Sequence, residues 1–160
     1  MDNVANGSGE NPGADPGKDP LARFGRRLPA FPTWLGIALV SVAPERLVAE
    51  LTVREEIGNG LGVMHGGAIM SFADTMGAVG TLINLPKGIG TTTLESKTNF
   101  IGAAPIGARL VGECTPLHRG RTTQIWQTRI SRADGKLVAI VTQTQLILAA
   151  PSLPGDVKRE

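Results

Sequence analysis

A chain of 160 residues with 41% hydrophobic side chains is long enough for one domain with a packed core and too short for two of ordinary size. At 19% charged residues and a formal net charge of +2, it carries no overall field of the kind that draws proteins to nucleic acid or a membrane surface. One cysteine (Cys114) and two histidines (His65, His118) exclude an intramolecular disulfide and an ordinary closed zinc site, so Cys114 reads as a small buried strand residue.

Residues 1–20 hold four glycines and three prolines among almost no bulky apolar side chains, and are expected to form a disordered tail. There is no basic region followed by an apolar one, hence no visible signal peptide, and no apolar run is long enough to span a bilayer; a cytoplasmic location follows as the expectation. Over residues 21–33, Leu21, Phe24 and Leu28 fall among Arg23, Arg26 and Arg27 at a spacing that predicts a short amphipathic helix, ended by Pro29 and Pro32. The period then changes. Residues 34–42 read as a first strand, Pro44 as a turn, and Arg46–Val53 as a second strand with Leu47, Ala49, Leu51 and Val53 on one side.

A glycine-rich loop with Asn59, Gly60 and Gly62 leads to His65-Gly66-Gly67 and a long apolar stretch over residues 68–83, whose length and Ala and Met content favour a helix. Pro86 and Gly88 close it. Alternating segments follow at residues 91–103, 108–117, 122–131 and 137–148, the last two joined by the hairpin signal Ala133-Asp134-Gly135. Two strands, one long helix and four strands in a meander describe an α+β domain over residues 34–150, with the helix on one face of an antiparallel sheet and residues 151–160 as a C-terminal tail.

On a helical wheel Ile69, Phe72, Met76, Val79 and Ile83 form one stripe, expected to pack on the sheet, opposite Ser71, Asp74, Gly77, Ala78 and Thr81. The second face is small enough for a neighbouring subunit or a slender ligand to approach. Asp74 is the sole ionisable residue between His65 and Lys87. An enclosed carboxylate is costly unless paired, and such groups concentrate at working sites; facing bulk water or resting against a neighbouring hydroxyl is the alternative. At the helix start, Gly66 and Gly67 leave backbone N–H groups uncovered, where they could hold a developing oxyanion; a loop that needs glycine for its backbone angles would read the same way.

The segment from Asn59 through His65-Gly66-Gly67 to Asp74, nine residues after the histidine, resembles the signature of hotdog-fold acyl-CoA thioesterases of the phenylacetate-pathway (PaaI) type, and the strand order over roughly residues 34–149 agrees. The resemblance implies a hotdog fold, a long central helix wrapped by a curved antiparallel sheet. It also implies a homodimer, or dimers stacked into a homotetramer, with active sites between subunits. The activity implied is hydrolysis of acyl-CoA. Gly66 N–H would polarise the thioester carbonyl with Asn59 assisting, and Asp74 of the partner subunit would be general base or nucleophile. His65 would position the loop, and a hydroxyl early in the strand after the helix would hold the water. Thr93 is the candidate for that hydroxyl, with Thr91, Thr92 and Ser96 close by. The turn Arg119-Gly120-Arg121-Thr122-Thr123, behind His118, resembles one that contacts CoA phosphates in relatives; guanidinium and N–H groups suit phosphate oxygens, though an exposed hairpin with solvated arginines is the plainer reading of the residues alone. No metal or redox cofactor is required, coenzyme A being part of the substrate. There is no Gly-x-Ser-x-Gly elbow, and Gly88-Ile89-Gly90 is too short for a dinucleotide site. A non-catalytic acyl-CoA-binding or regulatory protein of the same fold and a hotdog acyl-CoA dehydratase are the competing readings.

Overall fold

The computed structural model describes residues 28–148. The expected tails at 1–20 and 151–160, and residues 21–27 of the expected first helix, lie outside the described residues. A short helix α1 (Ala30–Leu35) precedes strands β1 (Ala38–Ala43) and β2 (Arg46–Thr52). The long helix α2 (Gly66–Ile83) follows, then β3 (Gly90–Phe100), β4 (Arg109–Arg119), β5 (Thr123–Arg132) and β6 (Leu137–Leu148).

Helix α1 begins where the sequence reading has a helix stop. Pro29 is its N-cap and Pro32 sits in its first turn, where a missing N–H forfeits no intrahelical bond. Trp34 and Leu35 therefore belong to the helix and not to the first strand. Gly36 ends it in the left-handed region at φ 88°, donating to the Thr33 carbonyl.

All strand pairs are antiparallel and the sheet runs in the order β1-β2-β4-β5-β6-β3. The four later strands are thus not a simple meander. Strand β3 lies at the far edge against β6, and the connector between β3 and β4 crosses back to reach the side of β2. That crossing is held by backbone bonds to the Asn59–His65 loop: Met64 N–H donates to Ala104 O and Ile106 N–H to Gly62 O. Alternation identifies a strand but not its neighbour, which explains the difference.

Helix α2 lies across the concave face of this sheet. Ile69, Phe72, Met76 and Val79 are buried with Leu47, Ala49, Leu51, Leu110, Trp126, Ile130, Val138 and Val141, each large apolar side chain contributing about 1.5–3 kcal/mol. Contrary to the expected absence of a membrane-length apolar run, α2 is by length and composition apolar enough to cross a bilayer; here the sheet covers its apolar side. The wheel also underestimates the buried arc. Gly77 and Thr81, expected on the far side, are buried, Thr81 at 0% exposure. A curved sheet wraps more of the helix than one stripe. Glycines permit the approach: a β-carbon on Gly77 would overlap the Gln143 amide, and one on Gly80 would lie 3.0 Å from the Trp126 ring.

Candidate active site

The start of α2 is capped by His65, whose Nδ1 accepts from Gly67 N–H at 2.9 Å. The His65 carbonyl accepts from Ala68 and Ile69 N–H at 2.9 and 3.2 Å. Of the first amides, that leaves Gly66 N–H without an acceptor among the described residues, at the positive end of the helix. The Phe100 ring covers Gly66, so that a β-carbon there would lie 3.2 Å from it. Asn59 Oδ1 accepts from Leu61 N–H at 2.9 Å and its backbone N–H donates to Val63 O at 2.9 Å. The loop thereby uses the Asn59 carbonyl oxygen and leaves its amide nitrogen as a donor.

Asp74 is half-buried on α2 and is gripped from the sheet. Thr93 Oγ1 donates to its Oδ1 at 2.7 Å; Gln143 Nε2 lies 3.4 Å from the same oxygen and 3.3 Å from the Asp74 carbonyl. Among the described residues no group donates to Oδ2. Of the four hydroxyls considered from sequence, Thr93 is the one on the carboxylate. The register explains why: a bulge between Thr93 and Glu95 shifts the alternation of β3, so that Thr91, Thr93, Ser96 and Thr98 are part-buried while Glu95 and Lys97 are exposed. Thr92 is exposed, Thr91 meets Gln145, and Ser96 lines the neighbouring cleft.

That cleft, about 420 Å³, lies between α1 and α2, with Phe31, Pro32, Met70, Ala78 and Leu82 among its apolar walls and Asp74 in its lining. A second hollow of about 330 Å³ adjoins it through Phe31 and Ser71 and reaches His65 and Gly67. Arg54 fixes α1 beside both, its Nη2 donating to Trp34 O at 2.5 Å with the guanidinium 5.6 Å from the Trp34 ring centre.

Asp74 lies eight residues along the helix from Gly66, a rise of about 12 Å. One chain does not bring both groups to a single carbonyl.

The expected phosphate turn is partly committed to the protein itself. Strand β4 runs through Arg119, whose guanidinium donates to Asn84 Oδ1 at 2.7 Å and Glu45 Oε1 at 2.6 Å. Gly120 N–H closes the turn on Thr123 O at 2.9 Å. Arg121 is exposed, and among the described residues no acidic partner holds it. A depression of about 380 Å³ touches Asn84, Arg119, Gly120, Arg121 and Gln124 at the C-terminal end of α2.

Sequence reasoning missed Gln143, Gln145, Phe100 and the α1 wall. The glutamines did leave a signal: they share the parity of Ala139 and Val141 in β6, a core-facing row, and are 1% and 0% exposed.

Residues 61–139 match the family model of the thioesterase superfamily. The chain is 30% identical over 115 residues to 1,4-dihydroxy-2-naphthoyl-CoA hydrolase of Escherichia coli, covering 72% of this chain and 84% of that protein. It is 29% identical over 104 residues to acyl-coenzyme A thioesterase 13 of Mus musculus, covering 64% and 74%. The chain belongs to the thioesterase superfamily. Its fold superposes on the E. coli PaaI protein of the phenylacetic acid degradation operon with a TM-score of 0.73 at 23% identity, covering 81% of this chain and 91% of that one. It has the hotdog fold, and it is a thioester hydrolase as its family is.

Proposed function

We propose that the protein hydrolyses acyl-CoA thioesters to the free acid and CoA, at a site completed by two copies of the chain. Gly66 N–H of one copy polarises the thioester carbonyl, with the Asn59 amide assisting and His65 holding the helix start. Asp74 of the other copy takes a proton from water through its open Oδ2 as the water oxygen bonds to the carbonyl carbon. The resulting oxyanion is held by the Gly66 amide, then collapses; the C–S bond breaks, and the CoA thiolate leaves and takes up the proton. Loss of one such donor costs on the order of a hundredfold in rate. Because a thiolate leaves readily, a carboxylate is a sufficient base. The acyl group occupies the apolar cleft beside Asp74, and the CoA phosphates approach Arg121, Thr122 and Thr123, with Arg119 and Gly120 shaping that turn.

The observation that carries this reading is the carboxylate of Asp74, held on Oδ1 by Thr93 and Gln143 and, among the described residues, given no donor on Oδ2, in the lining of an apolar cleft. The rise of about 12 Å between base and amide on one helix supports a site shared with a second copy. The unpaired outer edge of β3, where Leu94 and, just past the strand's end, Ile101 are exposed, offers a place to join two sheets.

The test is thiol release from a panel of short-chain, medium-chain and aromatic acyl-CoAs. Asp74→Asn is expected to lower kcat by about a hundredfold or more with KM little changed. Equal turnover in wild type and Asp74→Asn would remove Asp74 from the chemistry, and binding without thiol release by the wild type would make the protein an acyl-CoA-binding module instead.

A further inference from the structure

We infer that Gln145, a fully buried residue of β6, is a positioning residue for the Asp74 carboxylate, acting through Thr93. The inference rests on the proposed role of Asp74. Gln145 Nε2 donates to Thr93 Oγ1 at 2.7 Å, and Thr93 Oγ1 donates to Asp74 Oδ1 at 2.7 Å. A threonine hydroxyl has a single proton. With an amide donating into one lone pair of Thr93, that proton is directed to the one acceptor in line, the carboxylate. Gln145 has a donor beside its own oxygen: Thr91 Oγ1 lies 3.0 Å from Gln145 Oε1 and 2.9 Å from the Leu146 carbonyl, its one proton shared between them. The sequence Thr91, Gln145, Thr93, Asp74 therefore has one polarity, every donor pointing toward the acid. A reversed amide would set Oε1 against Thr93 and turn its proton away from Asp74.

The strand register makes this arrangement. Thr93 and Gln145 are opposite one another in the β3–β6 ladder, immediately before the bulge that follows Thr93. Holding Oδ1 in this way fixes the plane of the carboxylate and so where Oδ2 points. Gln143 adds a second, longer contact to Oδ1. Gln145 touches neither substrate nor reacting atoms in this scheme; its effect belongs in kcat.

The experiment combines a double-mutant cycle with crystal structures. Gln145→Met keeps the length of the side chain and removes its donor. It is expected to lower kcat about tenfold with KM within about twofold. Thr93→Val is expected to lower kcat comparably, and adding Gln145→Met to it to have little further effect. Thr93→Ser, which keeps the hydroxyl, should retain most of the turnover. Unchanged kcat in Gln145→Met, or fully multiplicative losses in the double variant, would overturn the inference while leaving Asp74 as the base. If Gln145→Met does not fold, Gln145→Asn serves, since its shorter amide falls short of Thr93. In the crystal structure of either variant the Thr93–Asp74 hydrogen bond should be lost. Its persistence would refute the positioning role even if the wild type hydrolysed no thioester, an outcome that would separately end the proposed reaction.

Discussion

Cys114 shows what a side chain does in this fold when it has no task in the site. It faces the core from β4 at 0% exposure, and burial pushes its thiol from an ordinary 9.0 up to about 12. A thiol held protonated is a poor nucleophile. The folded protein should therefore resist iodoacetamide at pH 8 and label fully once unfolded in guanidinium, as read by mass spectrometry; rapid labelling of the native state would contradict the burial. The same shift has a thermodynamic sign. The native state holds the proton more tightly than the unfolded chain, so this contribution is complete below pH 9 and is lost as pH rises from about 9 to about 12. Cys114→Ala should flatten that alkaline decline in a urea titration series, whatever it does to stability at neutral pH.

At the scale of elements, the contact between α2 and β6 is the most demanding. Gly77 has no side chain, and the Gln143 amide occupies the space one would fill. An alanine there would favour the helix intrinsically by about 1 kcal/mol, but overpacking costs about 1–3 kcal/mol. Gly77→Ala is thus expected to lower the urea midpoint and, by displacing Gln143, to reduce turnover. An unchanged midpoint would mean that Gln143 swings clear without cost. This contact also marks the limit of what the sequence discloses. The alternation of Leu47, Ala49, Leu51 and Val53, the hairpin at Asp134-Gly135 and the apolar period of α2 are local, and each is found where its pattern places it. The spacing from His65 to Asp74 identifies the family for the same reason. The side of β6 on which β3 pairs, the bulge that turns Thr93 and Ser96 inward together, and the grip of Thr93 and Gln143 on the acid, with Gln145 behind Thr93, all depend on contacts between distant segments. Prolines at 29 and 32 misled because their effect depends on which end of a helix they occupy.

For the molecule as a whole, the outer edge of β3 is one of the two open edges of the sheet, with β1 at the other. Strand β6 covers one margin of β3 only, and Leu94 within β3 and Ile101 just past its end are 58% and 54% exposed. The protein should sediment at twice the mass of one chain or a multiple of it. Lysines at both positions (Leu94→Lys, Ile101→Lys) should yield single chains with native far-ultraviolet circular dichroism and turnover lowered on the order of a hundredfold, as loss of the amide donor implies. Full activity in a species of single-chain mass would refute a shared site. The strand order carries one more consequence. On the ribosome, the helix bearing the acid and the strand bearing Thr93 emerge before the strand that hydrogen-bonds to both, which is the last of the six to be made. Until it arrives, the nascent β3 has no partner on either side, and closing that long sequence separation is the kind of step that slows folding. A polypeptide released early would be catalytically idle as well as prone to stick to its neighbours.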